Sequence, residues 1–125
     1  FLIDESYNSN PITLKEVILN LDKKKFQKKI LVIGDMLELG KFTERMHKDI
    51  VEPILKISPY LVITVGHYSK IINEGISKKI KTYHFKNYIQ VYERIIEVID
   101  DNDIVMVKGS NSIKLSKVCE KLMQK

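Results

Sequence analysis

The sequence predicts an α/β/α sandwich built around a mostly parallel sheet. Three observations predict it. Short aliphatic runs recur along the 125 residues, at 30–33 (ILVI), 60–65 (YLVITV) and 103–107 (DIVMV). Runs this apolar and this short read as strands covered on both faces. Between them lie segments whose apolar residues repeat at helical spacing, and turn formers punctuate each change of period. Strands alternating with helices give a parallel sheet with right-handed crossovers and helices on both sides.

The elements follow in order. Residues 1–5 (FLIDE) read as a strand, and 6–11 (SYNSNP) as a turn. Asn10 suits a helix N-cap with Pro11 at the first helical position, where a missing N–H costs nothing. Leu14, Val17, Ile18 and Leu21 then predict a helix to about residue 24. The stretch 29–40 (KILVIGDMLELG) is the pivotal strand with its loop. Thr43 is placed to cap a second helix with the stripe Met46, Ile50, Ile54 and Leu55, which Pro53 should kink or interrupt. Strand 60–65 stops at Gly66, and Ile71, Ile72 and Ile76 mark the next helix. Residues 79–85 alternate in polarity, as an edge strand does. A helix over 88–99 should bury Tyr88, Tyr92, Ile95, Ile96 and Ile99. The last strand, 103–107, runs into Lys108-Gly109-Ser110, and Leu115, Val118, Cys119 and Leu122 carry a final helix.

Composition bounds the function. Hydrophobic residues make up 44% and charged residues 30%, an ordinary globular balance for one domain. No apolar run approaches a membrane span and no signal peptide is visible. The single cysteine, Cys119, excludes an internal disulfide, fits a reducing compartment, and sits in a helical stripe where a packed thiol is expected. The net charge of +5 comes from lysines spread over every helix with only Arg45 and Arg94 beside them, so no nucleic-acid footprint is formed. The chain opens inside a strand and without methionine, which reads as a piece of a longer protein.

Parallel strands deliver their loops to one carboxyl edge, where α/β sheets bind ligands. Three loops there carry chemistry. Residues 4–11 offer carboxylates, hydroxyls and amides to a ribose or a peptide. The loop from Gly34 to Gly40 holds Asp35 and Glu38, suited to a cation, a metal-bound water or a substrate amine. Its glycines are five residues apart and Phe42 follows Lys41, so it is not a phosphate loop. Lys108, Gly109 and a helix start capped by Ser110 or Ser112 together suit an anion such as a carboxylate. His47, His67 and His84 form no H-x-x-x-H pair, and no C-x-x-C exists, so no metal site is expected. No nucleophile elbow is present.

Taken together, IDESYNSNP at 3–11, VIGDMLELG at 32–40, His47 and VKGS at 107–110 resemble the C-terminal domain of the Mur ligases. The similarity runs the length of the chain. It is greatest to the MurF-type branch, which joins D-alanyl-D-alanine to UDP-N-acetylmuramoyl-tripeptide. The resemblance implies a Rossmann-like sheet of about six strands, the first antiparallel. It also implies one domain, 1–125, of a three-domain cytoplasmic ligase of peptidoglycan precursor synthesis. ATP and Mg2+ would be bound mainly by a central P-loop domain not contained in this sequence, leaving the piece inactive alone. The expected partners are D-alanyl-D-alanine here and the UDP-sugar peptide and ATP through the other domains, in a monomer without nucleic acid or membrane contacts.

Carried onto this sequence, the resemblance puts Glu5, Tyr7 and Asn8 near the nucleotide. It puts Gly34, Asp35, Met36, Glu38, Leu39, Gly40, Lys108, Gly109 and Ser110 around the dipeptide, with Asn10 and His47 as further matching positions. Two positions depart from the pattern: Glu5 stands where aspartate is commoner, and Asn111 where arginine often stands. Asp35 and Lys108 are the positioning candidates. Lys108 with the helix amides would hold the dipeptide carboxylate, and Asp35 or Glu38 would orient its amine, so Asp35→Asn should raise the dipeptide KM more than the ATP KM. The competing expectations are a stand-alone Rossmann-like nucleotide-binding or regulatory module and a purely structural domain.

Overall fold

A computed structural model describes residues 1–6, 11–21, 27–37, 39–110 and 113–124. Strands β1 (Leu2–Glu5), β2 (Lys29–Gly34), β3 (Leu61–Val65), β4 (Thr82–Phe85) and β5 (Ile104–Lys108) form one sheet of order β1-β5-β2-β3-β4. Helices α1 (Pro11–Leu21), α2 (Thr43–Lys48), α3 (Val51–Ile57), α4 (Lys70–Ile76), α5 (Val91–Ile96) and α6 (Ser116–Met123) connect them. Every pairing is parallel.

The sheet is buried on both faces, as the unbroken aliphatic runs require. Leu31, Ile33, Val62, Ile104 and Met106 meet Leu14 and Ile18 of α1, Ile54 of α3 and Ile72 and Ile76 of α4 on one face. Ile30, Val32, Ile63, Val65, Val105 and Val107 meet Val91 and Ile95 of α5 and Val118 of α6 on the other. The three-layer sandwich is therefore present, with β4 at the edge its alternation predicts.

Two expectations about the sheet are corrected. Among the described residues there are five strands rather than six, and the first runs parallel to its neighbour. The eleven residues of α1 span about 16 Å at 1.5 Å per residue, enough to carry the chain back along the sheet. β2 therefore starts at the same edge as β1, and the two point the same way.

Helix boundaries also shift. The second helical segment is two helices, broken at Asp49 and Ile50. Pro53 lies in the first turn of α3, where a missing N–H is tolerated, so the break comes before it. Thr43 does not cap α2: its hydroxyl donates back to the Gly40 carbonyl at 2.7 Å across the 3-10 turn Gly40–Phe42. α5 is shorter than expected and leaves Ile96 exposed, while Tyr88 and Ile99 pack against the core from outside it. No helix among the described residues is long and apolar enough to cross a membrane.

Candidate functional site

The carboxyl ends of all five strands share one rim, and β5 gives that rim its shape. The loops after β1 and β2 lead to helices on one face, α1 and α2–α3, whereas the loop after β5 leads to α6 on the other. Neighbouring loops that part to opposite faces leave a crevice at the strand ends, the usual ligand position in such sheets. Gly34 ends β2 there and Gly109 follows the last residue of the neighbouring β5. A Cβ on Gly109 would stand 3.1 Å from the Gly34 Cα, and one on Gly34 would strike Leu115 at 2.9 Å. Glycine at both positions follows from that contact, and the Ser110 amide stitches the seam by donating to the Asp35 carbonyl at 3.0 Å.

Asp35 and Lys108 thus lie on the same rim, one residue past β2 and at the last residue of β5. Their side chains do not point at a common ligand. Asp35 is 4% exposed, and its two oxygens accept the His67 amide at 2.8 Å and the Ser69 amide at 2.7 Å. It clamps the loop from β3 to α4, each oxygen accepting one backbone amide. Gly66, at φ 115°, is required by the same clamp, because a Cβ there would lie 2.6 Å from the carboxylate.

Lys108 is completely buried, its Nζ 3.4 Å from Glu5 Oε2, in the register pair Glu5↔Lys108 of adjacent strands. Its ammonium is engaged by Glu5 rather than open to a carboxylate. The expected cap is also corrected: α6 begins at Ser116 with Leu115 before it, so Ser110 does not head that helix. Ser112 lies outside the described residues. Glu5, whose side chain is 27% exposed, is the half of the pair that meets solvent at the rim.

The rest of the acidic loop divides between core and surface. Met36 is fully buried in the core below the sheet rather than facing a ligand. Its N–H donates to His47 Nε2 at 3.0 Å, and His47 Nδ1 lies 2.7 Å from the Thr43 carbonyl. A carbonyl only accepts, so the proton sits on Nδ1 and the ring ties the loop to α2. Leu39 packs partly on the core, and Gly40 is exposed at φ 60°. Tyr7, Asn8, Asn10 and Glu38 lie outside the described residues.

The comparisons with known proteins fit this geometry. Residues 2–111 match the model of the C-terminal domain of Mur ligases, described as the Mur ligase, glutamate ligase domain. This chain belongs to the Mur ligase family. It is 31% identical to the UDP-N-acetylmuramoyl-tripeptide–D-alanyl-D-alanine ligase of Rickettsia prowazekii over 95% of its own length and 26% of that enzyme's. The same-named ligase of Bacillus subtilis is 30% identical over 98% of the chain and 28% of the relative. The chain therefore spans about a quarter of the length of the curated relatives it matches.

Solved Mur ligases share the fold. A MurF structure from Acinetobacter baumannii superposes with TM-score 0.82 at 23% identity, over 99% of this chain and 28% of that one. MurF from Thermotoga maritima, solved in complex with ADP, gives 0.76 at 23% identity, over 95% and 27%. Within the Mur ligase frame, the sequence reading missed the clamp by Asp35 and the pairing of Thr64 Oγ1 with His84 Nδ1 at 2.7 Å. Its one signal was a glycine-histidine step just after a buried strand.

Proposed function

We propose that this chain, residues 1–125, is the C-terminal, acceptor-binding domain of a three-domain ATP-dependent ligase. That enzyme joins D-alanyl-D-alanine to UDP-N-acetylmuramoyl-tripeptide in peptidoglycan precursor synthesis. The observation that carries the reading is the family match over residues 2–111, with Gly34 and Asp35 of the GDMLELG stretch at the end of β2, next to β5. ATP activates the tripeptide carboxylate as an acyl phosphate. The dipeptide amine forms the new C–N bond, phosphate leaves with the broken C–O bond, and the amine gives up a proton.

The work of this domain is positioning, for which a bimolecular step can gain roughly 7–11 kcal/mol when the partners are held in line. Gly34 and Gly109 let β2, β5 and Leu115 pack closely at the strand ends, which fixes where the loops after β2 and β5 emerge. Glu5, held by Lys108, presents a carboxylate to an amine or a ribose, with Tyr7, Asn8 and Asn10 beside it in sequence. In this reading Glu38 is the second loop carboxylate available to the acceptor amine, alongside Asp35 in sequence. Among the described residues no three His, Cys, Asp or Glu side chains gather as metal ligands. In this reading Mg2+ and the ATP phosphates are held by the other domains, and the piece alone is inactive. The enzyme works as a cytoplasmic monomer without membrane or nucleic-acid partners.

The test is phosphate release by the complete ligase from which the chain comes. It should require ATP, UDP-N-acetylmuramoyl-tripeptide and D-alanyl-D-alanine together. Release that depends on a single amino acid such as glutamate instead would assign another Mur ligase reaction. No acceptor-dependent release at all would leave a binding module.

A further inference from the structure

A second parting of loops lies on the same rim, away from β5. The loop after β3 leads to α4, whose Ile72 and Ile76 join the core on one face, while the loop after β4 leads to α5, whose Val91 and Ile95 join the other. The crevice between them is lined by Gly66, His67, Lys70, His84 and Lys86, around a cavity of about 380 Å³. That volume is at the small end for ligand sites. Four of its five residues are cationic or protonatable, and no Asp or Glu lines it among the described residues.

We propose that this crevice binds an oxyanion, a phosphate or a terminal carboxylate. Lys70 and Lys86 are exposed and stand in no ion pair among the described residues, so their charge is free to meet a ligand. The nearest buried carboxylate, Asp35, lies behind Gly66 with both oxygens taken by the His67 and Ser69 amides. That clamp fixes the wall bearing His67. The His84 ring is held in turn by the 2.7 Å contact of Nδ1 with Thr64 and by the Gly66 carbonyl, which fixes it in the wall of the cavity.

The charges around His84 set the pH response. Burial holds its pKa below the usual histidine value; the Gly66 carbonyl, Asp35 and Glu74 raise it and Lys70 lowers it, with His67 and Lys86 across the mouth. A bound anion favours the protonated ring, so binding strengthens as pH falls through the His84 titration. The site does not depend on the ligase reading, since it needs neither nucleotide nor acyl donor.

The experiment is a titration of the 15N-labelled chain with inorganic phosphate, pyrophosphate, acetate and D-alanyl-D-alanine at constant ionic strength. Saturable shifts are expected at the Gly66, His67, Lys70 and Lys86 amides and the His84 ring. Tighter saturation by phosphates identifies a phosphoryl group, and tighter saturation by acetate or the dipeptide identifies a carboxylate. Lys70→Glu with Lys86→Glu should weaken binding at least tenfold, while Lys78→Glu in the exposed turn after α4 leaves it unchanged. Shifts linear in concentration, or an equal loss with Lys78→Glu, would overturn the site. Thermal unfolding of each variant checks that the fold is kept. Because no ATP or acyl donor is present, failure here leaves the ligase reading standing, and failure of phosphate release leaves this site standing.

Discussion

Asp35 shows how far a residue's role can be read from its type and position. Its place after a buried strand was legible, since a glycine and a carboxylate at a strand end mark a loop on the ligand edge. Its engagement was not, because the two amides it accepts lie more than thirty positions away on another loop. Asp35→Ala therefore removes the acceptor of the buried Ser69 amide, worth about 1–3 kcal/mol when left unsatisfied, and of the half-buried His67 amide, worth less because water can replace it. The expected outcome is a fall in the denaturant midpoint of the isolated chain, and in the complete ligase a loss shared by both KM values rather than one confined to the dipeptide. A selective rise in the dipeptide KM with unchanged stability would return Asp35 to the amine. Lys108 is a similar case: the sequence shows a lysine at a strand end, and only the register with Glu5 shows why it turns inward. Cys119 supports a pH prediction. Burial, together with Asp4, pushes its thiol up to about 12 from 9.0. The unfolded thiol ionises first, so between pH 9 and 12 the folded state holds the extra proton and stability falls as pH rises, by at most about 1.4 kcal/mol per unit. Cys119→Ala should flatten that part of the wild-type pH profile of unfolding midpoints.

At the scale of elements, periodicity located the five strands among the described residues and the segments between them that are helical, but it joined α2 and α3 into one helix, did not foresee the 3-10 turn and misjudged several ends. The reason is visible at α2 and α3. The stripe Met46, Ile50, Ile54 continues across the break, because both helices pack on the same side of the sheet and need the same apolar face. What ends α2 is a turn at Asp49 and Ile50 that no breaker residue announces. α2 is nevertheless the element that holds the acidic loop. His47, fully buried, bridges the Thr43 carbonyl and the Met36 amide, so α2 and residues 34–37 move as one piece. His47→Ala leaves the Met36 N–H without its partner and opens a cavity beside it. A destabilisation of about 2–3 kcal/mol is expected, and hydrogen exchange at Met36 and Leu37 should speed up far more than at Val62 or Ile63. Uniform acceleration across the sheet would mean that His47 supports the core alone and not the loop.

At the scale of the whole molecule, the strand order decides where ligands can go, and it is the part least legible in the sequence. Alternating elements predict a parallel sheet but not that the last strand slips between the first two, because pairing is set by contacts remote in the chain. That insertion makes the crevice at Gly34 and Gly109 and leaves the second one between β3 and β4. It also separates the functional rim from a structural one. At the amino ends of the strands, Asp103 is fully buried and accepts the Lys28 amide at 3.0 Å and the Asp100 amide at 2.8 Å, with Lys28 Nζ 3.3 Å away. It ties the entry of β5 to the entry of β2, and Lys28 is held further by Asp100 at 2.9 Å. Removing the Asp103 carboxylate leaves the Lys28 and Asp100 amides without their acceptor, at about 1–3 kcal/mol for each buried donor left unsatisfied. Asp103→Ala should therefore lower stability by several kcal/mol, a large share of the 5–15 kcal/mol typical of a domain. Because the sheet's length lies between Asp103 and the loops that bind, the chain that remains folded should bind phosphate or carboxylate at the β3–β4 crevice as the wild type does. A variant that kept its stability but lost anion binding would show the two rims to be coupled through β5, against the division of labour drawn here.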